Sequence, residues 1–256
     1  MCLILLAIRK HPTYKLILAA NRDEYYARPS EPPHFWEDAP HLLAGRDLVA
    51  AGTWLGITRK GRVAAVTNYR DPARIKPEAP SRGKLVSDFL ASGLDPASYL
   101  DLVRPQKDRY NGFNLILGNR DRITWYSNRS GEATQLLPGV YGLSNHLLDT
   151  PWPKVVRAKA LFEEILHAGA QISPDSLFLL LKDHTMAPED RLPRTGVPIE
   201  WERILSPIFI TSPTYGTRSS SVVLIDKEDR ITFMDRTFNS HPEPVSTAKF
   251  EFILEA

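Results

Sequence analysis

The strongest constraint on the fold is a recurring pattern of two short apolar segments separated by a few turn-forming residues. Apolar and β-branched runs of this length, bounded by Gly, Asn, Asp or Pro, are typical of antiparallel hairpins. Gly61, in the turn Arg59-Lys60-Gly61, supplies the positive φ that a tight turn can require. Residues 250–254 predict a last strand. The predicted hairpins pair residues 2–9 with 15–20, 53–57 with 62–67, 113–117 with 123–126, and 220–225 with 231–234.

Helical patterns lie between these hairpins. In the longest, four apolar residues recur at the spacing of one helix face, with Lys154, Arg157 and Glu164 off that stripe. The four are Val155, Ala158, Phe162 and Ile165. A serine followed by proline opens another segment as cap and first helical residue. The predicted helices cover residues 84–91, 96–103, 153–168 and 173–182.

Two proline-rich segments interrupt these patterns. Residues 27–40 carry four prolines and predict an irregular loop, and residues 185–205 predict no defined element. No change of composition marks a linker. We therefore expect one α+β domain over residues 1–256, with helices layered on antiparallel sheets.

Composition excludes several classes of function. Thirty-two basic and thirty acidic residues give a net charge of +2, which argues against a nucleic-acid-binding protein. A single cysteine cannot form an internal disulfide or a Cys-based zinc cluster. The seven histidines include no pair at helical zinc-site spacing, and no Cys-x-x-Cys-His motif for covalent haem attachment occurs. We expect neither a metal site nor a nucleic-acid partner.

The N-terminal apolar run is too short to cross a membrane. A spanning helix needs about 20 apolar residues, and the run also lacks the flanks of a signal peptide. We expect a soluble cytosolic protein without a membrane span.

The one cysteine, Cys2, follows the initiator methionine. Removal of Met1 would leave an α-amine with a pKa of about 7.7–8.0 beside a thiol with a pKa of about 8.5. That amine would then act as the base for the thiol, as in N-terminal nucleophile enzymes. A cysteine at the start of an apolar strand is equally typical of a small buried core residue. Both interpretations stay open.

The segment Asn21-Arg22-Asp23-Glu24 stands where the second strand of the first hairpin is predicted to end. An antiparallel hairpin brings that end back beside Cys2. Asp23 would then orient the α-amine, and Arg22 would lower the thiol pKa or bind a carboxylate. The alternative is an ordinary charged turn, because the same Asn-Arg-Asp sequence recurs at residues 119–121 in another predicted hairpin tip.

Three further polar residues lie at predicted strand ends. Asn68 and Asn145 each follow an apolar strand, where a side-chain amide can donate to an oxyanion or simply end the strand. Arg218 precedes the strand at 220–225 and is either directed towards the same site or exposed.

Eight segments occur in a fixed order: the MC-leading strand, LILAANRDE, GTWLGI, TNYR, YNGFNLILG, YGLSN, TPWPK and YGTRSSSVVLID. Together they resemble the transport and Golgi organisation protein 2 family, also called the NRDE-domain family, over nearly the whole chain. The resemblance implies a four-layer αββα sandwich of antiparallel sheets, similar to that of N-terminal nucleophile hydrolases.

A looser resemblance extends to cysteine-type amidohydrolases such as the choloylglycine hydrolases. It implies a set of catalytic residues for hydrolysis of a small C–N amide after removal of Met1. In those enzymes an arginine precedes the Asn-x-Asp turn, whereas here Ala20 stands in that place and Arg22 lies inside the motif. The role of that arginine is therefore not carried over to this chain. The implied catalytic residues are Cys2, Asp23, Asn68, Asn145 and Arg218.

The family resemblance itself implies a different activity, the binding and trafficking of haem or a similar amphipathic anion such as an acyl-CoA. Arginines, among them Arg218, would meet the anionic end, and aromatic residues, among them Trp36, would form apolar walls. His146 is the best axial candidate for haem iron, with Cys2 as the other; haem is thus expected as a bound ligand. The implied ligand-binding residues are Asn21, Arg22, Glu24, Arg46, Trp54, Tyr69, Arg70 and His146.

Overall fold

The computed structural model describes residues 2–255, and its strands form two antiparallel sheets. The strands are β1 Cys2–Ile8, β2 Tyr14–Tyr25, β3 Ser30–Trp36, β4 Ala39–Asp47, β5 Leu55–Thr58, β6 Arg62–Asn68, β7 Phe113–Asn119, β8 Ile123–Ser127, β9 Ala133–Leu136, β10 Gly139–Leu143, β11 Tyr215–Asp226, β12 Arg230–Thr237 and β13 Ser246–Ile253. The α-helices are α1 Gly83–Ala91, α2 Pro96–Val103, α3 Pro153–His167, α4 Pro174–Leu181 and α5 Ile199–Ile204. Three short 3-10 helices cover Pro72–Arg74, Arg104–Arg109 and Glu189–Arg191.

The described chain divides into two compact units. The first contains the residues up to Ala27, Leu137–Ser144 and Leu148–Glu251, and the second contains Arg28–Leu136, Asn145–Leu147 and the residues from Phe252 onward. The first holds the six-stranded sheet, in the order β10-β1-β2-β11-β12-β13, and the second holds the seven-stranded sheet, in the order β3-β4-β5-β6-β7-β8-β9. The assignment of residues 1–256 to a single domain stays a prediction.

In the first unit, helices α3 and α4 cover one face of the six-stranded sheet. Leu3 and Leu5 of β1 pack there with Phe162 of α3 and Leu177 of α4. The apolar stripe predicted on α3 is confirmed, and burial of a side chain such as Phe162 is worth about 1.5–3 kcal/mol. We call this side of the sheet the helical face and the other side the opposite face.

In the second unit, α1 and α2 pack against the seven-stranded sheet. Phe89 of α1 and Leu100 of α2 share a core with Ala64 of β6 and Leu115 of β7. The turn before β6 has Gly61 at φ +73, so the predicted tight hairpin is confirmed.

The prediction of an irregular loop at residues 27–40 is wrong, because β3 and the start of β4 lie there. β3 is an edge strand, and its ladder to β4 is irregular between Glu31 and His34. Pro32 and Pro33 fall inside this irregularity, where no ladder donor is needed, so proline is tolerated.

The remaining differences concern short elements. Residues 185–205, which predicted no element, contain a 3-10 helix and α5. Strand β9 was not predicted, and β10 ends at Leu143, two residues before Asn145. The four predicted helices agree with α1 to α4 to within one residue at each end. Among the described residues, no helix has the length and apolar character needed to cross a membrane.

Candidate functional site

The first hairpin places Cys2 directly across the ladder from Arg22. The predicted return of the second strand to Cys2 is therefore confirmed. The alternative of a charged turn at residues 21–24 is wrong, because β2 continues through them to Tyr25. A 12-residue β2 pairs with β1 over its middle and with β11 along nearly its whole length, so these polar residues extend a regular strand.

Strand alternation separates the polar residues of β2 into two sets. Leu3 and its partner Asn21 lie on the helical face, since Leu3 belongs to the core formed with α3 and α4. Cys2 and its partner Arg22 therefore lie on the opposite face, and Asp23 returns to the helical face.

Cys2 is buried, with 7% of its surface exposed. Burial raises the pKa of the Cys2 thiol, and the negative charge of Asp23 raises it further. The positive charge of the N-terminal ammonium, then that of Arg22, and a hydrogen bond from the Asp23 backbone lower that pKa without reversing the net shift. The thiol is thus predominantly protonated at neutral pH. Ser144 fixes the strand end by donating its hydroxyl proton to the Cys2 carbonyl at 3.1 Å.

Asn21 is used to tie β2 to neighbouring segments. Its side-chain amide donates to the carbonyls of Leu181, at 2.8 Å, and Ile208, at 2.9 Å. Its oxygen accepts a hydrogen bond from the Ser220 hydroxyl at 2.6 Å. Both amide protons are engaged, so Asn21 has a structural role at the end of α4, and its predicted contact with a ligand stays a prediction.

Asp23 is buried within a polar cluster on the helical face. The Thr217 hydroxyl donates to its Oδ1 at 2.8 Å, and the Lys154 ammonium lies 4.0 Å from its Oδ2. The Tyr215 hydroxyl donates to the Asp23 carbonyl at 3.0 Å. The Asp23 carboxylate is therefore held between β11 and the first turn of α3.

Lys154 was missed by the sequence reasoning, which set it off the apolar stripe of α3. It is buried, with 4% of its surface exposed. The sequence did indicate that Lys154 is buried, because it stands four residues before Ala158 and eight before Phe162, on the same helix face. Its partner Asp23 could not be identified from that spacing.

Arg218 occupies a bulge in β11. The ladder passes from the Thr217–Asp23 pair to the Ser219–Arg22 pair, which leaves Arg218 as an extra residue. Its guanidinium donates to the carbonyls of Tyr26, at 2.7 Å, and Phe238, at 3.3 Å.

The ladder places a second arginine beside Arg218, because Arg22 pairs with Ser219, the next residue of β11. Burial lowers the Arg218 pKa, and the positive charge of Arg22 lowers it next. Glu24, which is half-buried, opposes this shift with its negative charge. Arg22 and Arg218 are thus close enough to repel each other at one end of the β2–β11 pair.

In the second unit, Asn68 and Asn145 meet at the end of β6. The Asn145 side-chain amide donates to the Asn68 carbonyl at 2.9 Å. The Arg70 backbone N–H donates to the Asn145 carbonyl at 2.7 Å. Asn114 completes the attachment by donating to the His146 carbonyl at 2.9 Å. The segment Asn145–Leu147 is therefore fastened to β6 and β7.

Tyr69 and His146 form a hydrogen-bonded pair in the same segment. The phenol oxygen lies 2.7 Å from the imidazole Nε2, and the ring centroids are 4.8 Å apart. Burial lowers the His146 pKa and raises the Tyr69 pKa. Both groups are consequently neutral at neutral pH.

Arg46 and the two tryptophans have structural partners in the second unit. Both Arg46 Nη atoms donate to the Asp38 carboxylate, at 2.8 and 2.7 Å, and the guanidinium lies over the Trp36 ring. Trp36 is a core residue whose indole N–H donates to the Ala44 carbonyl, and its predicted place in a ligand wall stays a prediction. Trp54 is half-buried against the core of α1 and α2.

The predicted site residues therefore form two groups. The first unit brings together Cys2, Asn21, Arg22, Asp23, Glu24 and Arg218. The second unit brings together Asn68, Tyr69, Arg70, Asn145 and His146.

Two solved structures share this fold. A C2A mutant of the conjugated bile acid hydrolase from Clostridium perfringens has a TM-score of 0.57 at 10% identity, covering 98% of this chain and 92% of its own. The Caenorhabditis elegans ortholog of N-acylethanolamine-hydrolyzing acid amidase has a TM-score of 0.51 at 11% identity, covering 88% and 92%. The predicted α+β fold similar to that of N-terminal nucleophile hydrolases is confirmed.

Sequence relatives are much nearer. The Transport and Golgi organization protein 2 homolog of Bos taurus is 39% identical over 277 residues and covers all of both chains. Transport and Golgi organization protein 2 of Drosophila melanogaster is 32% identical over 263 residues, with 93% of this chain and 92% of its own covered. The sequence profile of the Transport and Golgi organisation 2 family matches residues 1–240. The chain belongs to the Transport and Golgi organisation 2 family.

Proposed function

We propose that this protein binds and carries a small amphipathic anion, either haem or an acyl-CoA-like metabolite, in the cytosol. The observation that carries the proposal is the proximity of Arg22 and Arg218 at one end of the β2–β11 pair, beside Cys2. The fold similar to that of N-terminal nucleophile hydrolases serves as the scaffold.

The charges of Arg22 and Arg218 favour an anionic ligand. Two nearby guanidinium groups repel each other, and a carboxylate or phosphate placed beside both would relieve that repulsion. Guanidinium also binds these groups through paired hydrogen bonds, in a geometry that lysine cannot reproduce. Haem propionates and acyl-CoA phosphates share this chemistry.

Recognition of haem would depend on its carboxylates more than on its iron. The Cys2 thiol is predominantly protonated at neutral pH, which disfavours thiolate ligation. The Nε2 atom of His146 lies 2.7 Å from the Tyr69 hydroxyl, and ligation through Nε2 would break that contact. Weak ligation suits a carrier, because the bound molecule must be released.

A hemin titration tests this proposal directly. We expect saturable binding in the micromolar range, followed by the haem absorbance band, and about tenfold weaker binding for Arg22→Gln or Arg218→Gln. Arg157→Gln is the matched control, since Arg157 is an exposed arginine of α3 paired with Asp183. Competition by palmitoyl-CoA would identify the acyl-CoA form of the ligand. An absence of saturable binding to either compound would refute the proposal.

A second candidate is a Cys2 amidohydrolase, favoured by the position of Cys2 at the head of β1 beside Arg22 and Asp23. The thiol proton would pass to the α-amine while sulfur bonds to the carbonyl carbon, and the resulting α-ammonium would give that proton to the amide nitrogen as the C–N bond breaks and the amine leaves. Water would then hydrolyse the thioester, releasing the carboxylic acid and restoring the thiol. The assignment of Asn68 and Asn145 as oxyanion donors stays a prediction from the sequence.

The decisive condition for hydrolysis is removal of Met1, which lies outside the described residues. Intact mass spectrometry of the purified protein decides it, because retained Met1 leaves Cys2 without a free α-amine. If Met1 is absent, Cys2→Ala is expected to abolish turnover of an amide library while the circular dichroism spectrum is unchanged. Equal turnover by both proteins would exclude Cys2 as the nucleophile.

A further inference from the structure

Lys154 is placed where a lysine is costly for folding. It is the second residue of α3, where the helix dipole disfavours a positive charge, and its side chain is 2% exposed. Removing an ammonium group from water is unfavourable unless an opposite charge lies close. The Asp23 carboxylate, itself fully buried, lies 4.0 Å away.

The partners of Asp23 belong to two separate elements, β11 and α3. Thr217 of β11 donates to the carboxylate, and the Thr217 hydroxyl also accepts the Ile210 backbone N–H at 2.9 Å. Tyr215 donates to the Asp23 carbonyl. Lys154 adds α3 to this network, so a helix residue fixes the end of β2 from the helical face.

The end of β2 also determines the opposite face. Arg22, next to Asp23 in the chain, stands between Cys2 of β1 and Ser219 of β11 in the ladder. The charge of Asp23 acts on the Cys2 thiol, and that of Arg22 acts on it with the opposite sign. Any change in the charge or position of Asp23 therefore reaches both Arg22 and Cys2.

We propose that Lys154 is a positioning residue of the proposed anion site, acting through Asp23 on Arg22 and Cys2. The ammonium group balances the Asp23 carboxylate, keeps the strand end in its ladder, and limits the negative potential at the thiol. This inference rests on the proposed function for its biological role, whereas its physical content concerns the protein alone.

Alkylation of Cys2 by iodoacetamide tests the inference without a ligand. Cys2 is the single cysteine, so the alkylation rate of the full chain, followed by intact mass against pH, reports its thiolate alone. Lys154→Met is expected to raise the midpoint of that profile and to slow alkylation at pH 8 about threefold or more, because half a pH unit changes the thiolate fraction about threefold. Lys154→Arg keeps the charge and is expected to stay within about twofold of the wild-type rate.

A double substitution shows whether Lys154 acts through Asp23. In the Asp23→Asn background, Lys154→Met is expected to leave the alkylation profile unchanged. An equal rise of the midpoint in that background would mean that Lys154 acts on the thiol directly, which overturns the proposal. An unchanged profile for Lys154→Met alone overturns it too. Lys159→Met is the matched control, since Lys159 is a lysine of α3 paired with Asp149.

Two further measurements keep the result decisive. If Lys154→Met does not fold, the comparison of Asp23→Asn with Asp23→Asn/Lys154→Met still shows whether Lys154 acts on the thiol without Asp23. The double variant is expected to fold, because removal of both charges of a buried pair is often tolerated. Hemin titration of the same variants separates the two proposals. A wild-type protein that binds no hemin refutes the proposed ligand, while the alkylation profiles still decide the role of Lys154.

Discussion

Asp235 offers a sharp test of the electrostatics of the six-stranded sheet. It lies on β12, directly across the ladder from Ser221 of β11, and only 3% of its surface is exposed. The Ser221 hydroxyl donates to its carboxylate at 2.6 Å, and the Thr237 hydroxyl donates at 3.3 Å. Asp235→Asn keeps the shape of the side chain and removes its charge, and both hydroxyls can rotate to suit the amide.

The gain in the free energy of unfolding that we expect for Asp235→Asn follows from the pKa of Asp235. Burial raises that pKa to about 6, against hydrogen bonds from Ser221 and Thr237 that lower it. An aspartate in the unfolded chain has a pKa of about 3.9, so the gap of about 2 units corresponds to about 3 kcal/mol. Because the pKa of the folded state is the higher one, protonation of Asp235 favours the folded state. The stabilisation by the protonated carboxyl group is complete below about pH 3.9 and is lost as the pH rises through 6.

Urea denaturation of wild type and Asp235→Asn at several pH values measures the effect. Relative to wild type, the variant is expected to gain up to about 3 kcal/mol in the free energy of unfolding between pH 4 and pH 7.5. Asp121→Asn, at the exposed tip of the β7–β8 hairpin, is the charge-matched control. A stability difference between variant and wild type that does not change with pH would refute the reasoning.

Three other substitutions have expected outcomes that urea denaturation checks. Asn21→Ala is expected to cost about 3 kcal/mol, because it leaves the carbonyls of Leu181 and Ile208 without their donor; a loss below about 1 kcal/mol would contradict the structural role of Asn21. Phe162→Ala is expected to cost about 3–5 kcal/mol through a cavity between α3 and the sheet, and a smaller loss would show that this core can collapse around the truncated side chain. Gly118→Ala is expected to cost up to about 3 kcal/mol, because its Cβ would lie 2.1 Å from the Arg122 carbonyl oxygen; unchanged stability would mean that the β7–β8 turn is not as tight as described.

Local rules predicted a large part of the fold. The turn glycine at Gly61, the stripe of α3, and the return of the second strand to Cys2 all depend on residues near in sequence. Strand β3 was missed because prolines exclude central strands but not edges, and a single sequence does not say which strand is an edge.

The buried charges were harder to predict. Lys154 carried a helix-face signal, and Asp235 continues the alternation of Ile231 and Phe233. Each residue stands on a buried face, yet its partner comes from another element: Asp23 of β2 lies 4.0 Å from Lys154, and Ser221 of β11 donates to Asp235. Periodicity indicates that such a residue faces inward, but it does not identify the partner that offsets the cost of burying its charge.

The bulge at Arg218 has a consequence for the length of β11. Before it, Thr217 lies on the helical face with Asp23; after it, Val222 and Leu224 lie there, so the inward positions change from odd to even numbers. Deletion of Arg218 would exchange the two faces along one half of the strand, sending either the Asp23 contact or the apolar core to the wrong side. A substitution at this position alters one side chain, whereas a one-residue deletion would change the orientation of every residue on one side of it.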